Sequence, residues 1–210
     1  MTPIQLHTYQ TPNGHKASIM LEETGLPYDV RVVDLERGDQ RAPAFLALNP
    51  NNKIPVIVDP DRARTVVESG AILLYLAERA GTLRPEPGDD TLSWLFFQAA
   101  HVGPTLGQLW SFKVFAAEKL PPVIKRFERE AARIFRVLDG VLASRDYIAS
   151  SGRYGVADIM HWPWLRAAQG PLGLSLDPHT NLARWFAAVA DRPAVQRGLR
   201  VPVLSHADAA

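Results

Sequence analysis

The sequence predicts an α/β unit followed by an all-α unit, and three observations carry that reading. Short β-like runs alternate with helical runs over residues 4–80, whereas every periodic segment after residue 90 is helical. Between the two, residues 83–90 hold two prolines, a glycine and three acids without periodic apolar positions, as a linker does. The 210 residues, 47% apolar and 21% charged, supply a core for two compact units. The expected domains are therefore 1–82 and 90–210.

Residues 4–8 form the first expected strand. Thr11-Pro12-Asn13-Gly14 is a turn, and a helix follows over 15–24 with Ile19, Met20 and Leu21 near its apolar side and Gly25 at its end. The valine-rich run 28–35 is a second strand, 43–48 a short helix, and 56–58 and 65–67 two brief strands. Residues 70–80 are a helix that stops at Gly81. Beyond the linker, helices are expected over 91–119, 121–143, 156–169 and 182–190, with a short piece from 193.

Two of these helices need comment. Residues 91–112 carry no Asp, Glu, Lys or Arg, but Ser93, Gln98, His101, Thr105, Gln108 and Ser111, with Gly103, Pro104 and Gly107, make this a buried, kinked core helix rather than a membrane span. In 121–143, Ile124, Phe127, Ala131, Ile134, Leu138 and Val141 fall within one arc of about 100°, the core face. Arg126, Arg129, Arg133 and Arg136 form a second stripe, read as a solvated face in preference to an anion-binding one.

Composition excludes several chemistries. With no cysteine, the chain has no protein thiolate for an iron–sulfur cluster, a thiolate zinc site, a redox pair or a nucleophile, so any sulfur it handles arrives on a ligand. The net charge of +1 argues against a nucleic-acid surface. No Walker loop, Gly-x-Gly-x-x-Gly, His-Glu-x-x-His or Gly-x-Ser-x-Gly occurs, and the six histidines, His206 among them, show no ligand spacing, so no metal is expected. The first ten residues lack the apolar core of a signal peptide, which makes the cytoplasm the expected compartment.

Three features of the first eighty residues fit together. Thr11 and Asn13 stand at a helix N-terminus, where unpaired N–H groups and the macrodipole favour an anion such as a thiolate. In Asn49-Pro50-Asn51-Asn52-Lys53-Ile54-Pro55, the proline removes a ladder donor ahead of a strand, leaving Ile54 a backbone edge that an extended peptide can pair with. In Val66-Val67-Glu68-Ser69-Gly70, Ser69 is expected to cap the next helix and hold a carboxylate while Glu68 holds an ammonium, the two charges of an amino-acid head group.

In this order and spacing, Asn52-Lys53-Ile54-Pro55, Glu68-Ser69-Gly70-Ala71-Ile72-Leu73-Leu74-Tyr75-Leu76-Ala77-Glu78 and Gly155-Val156-Ala157-Asp158 resemble the glutathione transferase superfamily. Thr11-Pro12-Asn13-Gly14-His15-Lys16, Gly103-Pro104-Thr105-Leu106-Gly107-Gln108 and Trp162-Pro163-Trp164 are most similar to its bacterial nu class, glutathione-dependent disulfide-bond reductases. The resemblance implies a thioredoxin-like first domain and a helical second one, glutathione, reduced or oxidised, as co-substrate, and a homodimer. It places Thr11 and Asn13 at the glutathione sulfur and Ile54, before a cis Pro55, against the cysteinyl backbone. Glu68 and Ser69 fall at the γ-glutamyl head, Gln40 and Lys53 near the glycyl end, and Arg126 where the helical half approaches the ligand. Tyr9 is the competing hydroxyl, because several transferase classes use a tyrosine near the first strand. Gly155 departs from the family's Ser or Thr cap.

The reading that follows is thiol–disulfide exchange on small or peptide disulfides with the sulfur supplied by glutathione. The alternatives are conjugation of glutathione to electrophiles and a non-catalytic glutathione-binding scaffold.

Overall fold

The computed structural model describes residues 1–204; His206 lies outside them. The described residues divide into two units, 1–82 together with 192–204, and Leu83–Asp191.

The first unit is built on a four-stranded mixed sheet of order β2-β1-β3-β4. β1 (Ile4–Thr8) runs parallel to β2 (Tyr28–Val32) and antiparallel to β3 (Val56–Asp59), which pairs antiparallel with β4 (Arg64–Val67). A parallel pair needs a crossover, and α1 (Pro12–Thr24) supplies it. α2 (Pro43–Leu46) and α3 (Ser69–Ala80) complete the arrangement. Leu6, Ile57, Ile19, Met20, Ile72 and Leu76 are buried in its core.

Two boundaries differ from expectation for local reasons. α1 begins at Pro12 because Thr11 is its N-cap and proline suits the first helical position. β2 stops at Val32, three residues short of the expected end, because the Asp34 carboxylate accepts the amides of Glu36 at 2.8 Å and Arg37 at 3.2 Å and turns the chain.

α9 (Pro193–Gly198) belongs with the first unit, whereas the sequence assigned 90–210 to the helical one. Ala194, Val195 and Gly198 are buried, and Ser18 donates its hydroxyl to the Gly198 carbonyl at 2.7 Å. The Arg192 guanidinium forks onto Glu23 at 2.7 and 2.9 Å, and Arg197 reaches Glu22 at 2.6 Å. These pairings lie far apart in sequence, which is why periodicity alone does not reveal them.

The second unit contains α4 (Thr91–Phe97), α5 (Gly103–Trp110), α6 (Pro121–Leu142), α7 (Val156–Gln169) and α8 (Thr180–Ala190). The expected helix over 91–119 is a helical run to Phe115 interrupted by π turns at Gln98–Val102 and Ser111–Phe115, the first leading directly into Gly103-Pro104. On α6, Ala131, Ile134 and Leu138 are buried as the arc predicts, joined by Phe135 and Leu142. Asp158, wholly buried, compensates for the missing side chain at Gly155. One of its oxygens accepts the Gly155 amide at 3.0 Å, the other the Ile148 amide at 3.0 Å and the Trp185 indole N–H at 2.7 Å.

Candidate functional site

Within the first unit, the start of α1, the turn before β3 and the start of α3 converge on a cavity of about 270 Å³. α1 contributes Asn13, the turn contributes Asn49, Asn51, Lys53, Ile54 and Pro55, and the β4–α3 junction contributes Glu68 and Ser69.

At the mouth of α1, the Thr11 hydroxyl oxygen accepts the Gly14 amide at 3.0 Å. Helix-end amides and the dipole remain directed at whatever occupies the cavity beside Asn13. Neither Asp nor Glu occurs in the first turn of α1, whereas at the start of α3 the Glu68 carboxylate stands at the N-cap position.

The turn is shaped by Asn49, which is buried: its amide N–H donates to the Lys53 carbonyl at 2.7 Å and its side-chain oxygen accepts the Asn51 amide at 3.0 Å. The Ile54–Pro55 peptide is cis. The β3–β4 ladder begins at Val56, paired with Val67, so the N–H and C=O of Ile54 lie outside it. Beneath the turn, Val33, Phe45 and Val56 form a small core against which Leu48, Ile54 and Val67 pack.

Glu68 takes a φ of 67° and is the N-cap position of α3, with no side-chain capping bond. A non-glycine residue in this region costs on the order of 1–3 kcal/mol and concentrates at functional sites. Ser69, expected as the cap, is instead the first helical residue, so its amide lies outside the helix's own hydrogen-bond ladder.

Lys16, which no turn or cap signal in the sequence marks as a site residue, lies under this junction. It is 1% exposed, and its ammonium donates to the Ser69 hydroxyl oxygen at 3.4 Å. Burial lowers its pKa to about 7, partly opposed by the Glu68 carboxylate. The available signal was a lysine three residues after Asn13, in the same helical run as the apolar Ala17, Ile19, Met20 and Leu21.

Of the sequence-predicted site residues, Asn13, Lys53, Ile54, Glu68 and Ser69 line this one cavity. Thr11 caps α1 without entering the lining. Gln40 sits in the 3₁₀ turn Asp39–Arg41, outside the lining, and its side-chain oxygen is buried without a hydrogen-bond partner among the described residues. Arg126 lines a different cavity, of about 580 Å³ within the second unit, with Arg129, Arg133 and Arg136. All four arginines are exposed, in keeping with the solvated face read from the sequence. Tyr9 interacts with Asp34: burial, then the Asp34 and Glu36 carboxylates, hold its phenol above the ordinary pKa. The buried His161 ring pairs through Nδ1 with the Ala157 carbonyl at 2.8 Å.

Among the described residues no group of three or more His, Cys, Asp or Glu could hold a metal ion, and no helix is long and apolar enough to cross a membrane.

Fold and cavity define a class: a thioredoxin-like domain that presents a cis-proline turn and two helix N-termini to one cavity, continued in sequence by a helical domain. Residues 11–79 match the glutathione S-transferase N-terminal domain family and residues 102–193 its C-terminal domain family. The chain is 38% identical to the disulfide-bond oxidoreductase YfcG of Escherichia coli, over 93% of this chain and 94% of the relative. It is 37% identical to the disulfide-bond oxidoreductase YghU of the same organism, over 93% and 74%. A glutathione transferase from Burkholderia graminis, solved with two glutathione molecules per subunit, superposes with a TM-score of 0.91 at 39% identity, covering 97% of this chain and 90% of that one. One from Pseudomonas putida, with one glutathione disulfide per subunit, gives 0.87 at 39% identity, covering 95% and 92%. The chain belongs to the glutathione S-transferase family and is a glutathione-dependent enzyme.

Proposed function

We propose that the chain binds glutathione and its disulfide in the cavity of the first unit and catalyses thiol–disulfide exchange on small or peptide disulfides. The supporting observation is that a cavity lined by Asn13, Lys53, Ile54, Glu68 and Ser69 occurs in a chain without cysteine. Thiolate, disulfide partner and resolving sulfur must then all be brought in. A glutathione thiolate attacks one sulfur of the substrate disulfide, forming a mixed disulfide and releasing a thiolate; a second glutathione thiolate attacks the mixed disulfide at the glutathione sulfur. The sum is two glutathione plus one disulfide giving glutathione disulfide plus two thiols. The protein's part is orientation and thiolate stabilisation.

In this reading Thr11 and Asn13 attend the sulfur, Ile54 pairs with the cysteinyl unit, Glu68 and Ser69 hold the γ-glutamyl head, and Gln40 and Lys53 serve the glycyl end. The likeness to YfcG and YghU supports assignment to the nu class. The reaction suits the cytoplasm, where glutathione is kept reduced. Leu92 and Phe96, 52% and 73% exposed on α4, support a homodimer that covers them, and sedimentation as a monomer at micromolar concentration would contradict it.

Purified protein is expected to reduce a model disulfide with glutathione between pH 6 and 9, faster than it conjugates a chlorinated nitroaromatic. Faster conjugation would make it a conjugating transferase. Binding of glutathione with neither activity would make it a scaffold.

A further inference from the structure

β2 stands at the edge of its sheet and, among the described residues, pairs with β1 alone. That ladder sets Ile4 opposite Tyr28 and Thr8 opposite Val32; at its ends the Ile4 amide donates to the Pro27 carbonyl at 2.9 Å and the Val33 amide to the Thr8 carbonyl at 3.0 Å. Alternate residues of a parallel strand turn their backbone groups to the same side. Asp29 and Arg31 therefore bond to β1, while the N–H and C=O of Tyr28, Val30 and Val32 point away from the sheet, unpaired. Asp29, Val30, Arg31 and Val32 are all exposed. Neither Asp29 nor Arg31 makes an ion pair among the described residues.

We propose that β2 is a self-association edge: it pairs antiparallel with β2 of a second copy of this chain about a twofold axis at Val30, joining two four-stranded sheets edge to edge. Backbone direction and charge together choose that axis. The outward groups of Tyr28, Val30 and Val32 allow axes at Asp29, Val30 or Arg31. An axis at Asp29 sets two carboxylates opposite each other, and one at Arg31 sets two guanidiniums opposite each other. With the axis at Val30, each Asp29 faces Arg31 of the other copy, twice by symmetry. All three outward residues then find partners, Val30 on Val30 and Tyr28 on Val32 in both directions, each pair exchanging both N–H···O bonds.

The side chains agree with this axis on both faces of the strand. Tyr28, Val30 and Val32 share the face of Ile4, Leu6 and Thr8, so pairing lays Val30 and Val32, 37% and 43% exposed, against apolar groups of the second copy. Asp29 and Arg31 share the other face, beside Gln5 and His7. They fall at the non-hydrogen-bonded positions, where opposite residues approach most closely, about 4.5 Å between Cα atoms. Charges on an edge ordinarily block pairing; this alternation rejects unmatched edges and accepts its own reversed copy. A five-residue edge buries less than a standard interface, so the contact is weak and concentration-dependent. It is separate from α4 of the second unit, to which a homodimer is assigned above, and it does not depend on what the cavity binds.

Sedimentation velocity of the whole protein from about 10 µM to about 1 mM is expected to show a reversible doubling of whatever mass is present at the lowest concentration. Asp29→Arg and Arg31→Glu each put two like-charge pairs beside the axis, and each should raise the dissociation constant for this step about tenfold or more. An equimolar mixture of these two variants restores opposite charges at both pairs and should associate as the wild type does. Val30→Pro leaves the bonds to β1 in place but removes the outward donor at the axis, and it should abolish the doubling. A wild type of constant mass over this range overturns the inference. So does a doubling that survives both single charge variants, which would assign it to another surface, or a loss in both that their mixture does not restore. None of these results bears on glutathione binding.

Discussion

The Thr11 hydroxyl oxygen accepts the Gly14 amide at 3.0 Å, so a residue expected to attend the ligand sulfur also closes the first turn of α1. Accepting that bond leaves the hydroxyl proton available for donation. Thr11→Val is therefore expected to lower stability by about 0.5–2 kcal/mol through loss of the cap and to lower turnover as well. Thr11→Ser should retain both. Urea unfolding alongside disulfide-reduction kinetics checks the pair, and a stable but inactive Thr11→Ser would contradict this dual role.

Asn13 at the start of α1 and Glu68 at the β4–α3 junction line one cavity and should separate kinetically. Asn13→Ala is expected to reduce kcat on the order of tenfold to a hundredfold by removing a donor near sulfur. Glu68→Ala should chiefly raise KM for glutathione, by an amount equivalent to about 1.5–3 kcal/mol of charge-assisted bonding. Equal losses in kcat alone from both substitutions would contradict this division.

Gly14 has no room for a side chain. A Cβ there would press on the Tyr9 carbonyl oxygen and stand 2.6 Å from the Thr8 hydroxyl oxygen. Gly14→Ala must move the start of α1 away from β1, and we expect a stability loss of about 1–3 kcal/mol together with weakened glutathione binding. Thermal unfolding and a binding titration on the same preparation would show it; an unaltered protein would mean that the helix end yields easily.

Asp158 makes the second unit pH-sensitive in an unusual sense. Burial raises its pKa to about 6, despite the Ile148 amide, the Trp185 indole and the Gly155 amide that favour the charged form. A folded-state pKa above the unfolded one means the group's stabilisation is complete below about pH 4 and is lost as pH rises through about 6. Relative to Asp158→Asn, which cannot titrate, the wild type is expected to gain stability between pH 7 and 4.5. Urea midpoints of both proteins at the two pH values test the sign.

Asp59 works in the opposite direction. Burial pushes its pKa up, but the Tyr75 hydroxyl at 2.6 Å and the Arg79 guanidinium at 3.2 Å outweigh that and hold it below the ordinary carboxylate range. Its stabilisation is present above about pH 4 and is lost as pH falls further. Against Asp59→Asn, the wild-type advantage should shrink between pH 5 and 3, and an advantage that grows on acidification would refute the assignment.

Much of this molecule could be read along the chain, where the physics is local. Alternation at residues 4–8, the capped turn from Thr11, the Gly25 and Gly81 stops and the long apolar arc of α6 depend on neighbours within a few residues, so pattern and propensity locate them. Asn13, Lys53, Ile54, Glu68 and Ser69 could be named because each sits at an element boundary with a recognisable turn or cap chemistry. Asn49 could not: its role is to bind the Lys53 carbonyl and shape a turn, and any polar loop residue would look the same.

By itself, then, the sequence determined the order of elements, the two-part architecture and the fact that any reacting sulfur must come from outside. Tertiary structure alone decided that α9 packs with the first unit, that Ser69 follows the cap while Glu68 takes the left-handed backbone, and that Lys16 lies buried against Ser69. Those outcomes depend on which distant segments exclude water from one another. A lysine on a helix becomes a buried charge only when another helix closes over it, and neither its own identity nor its neighbours' carry that information.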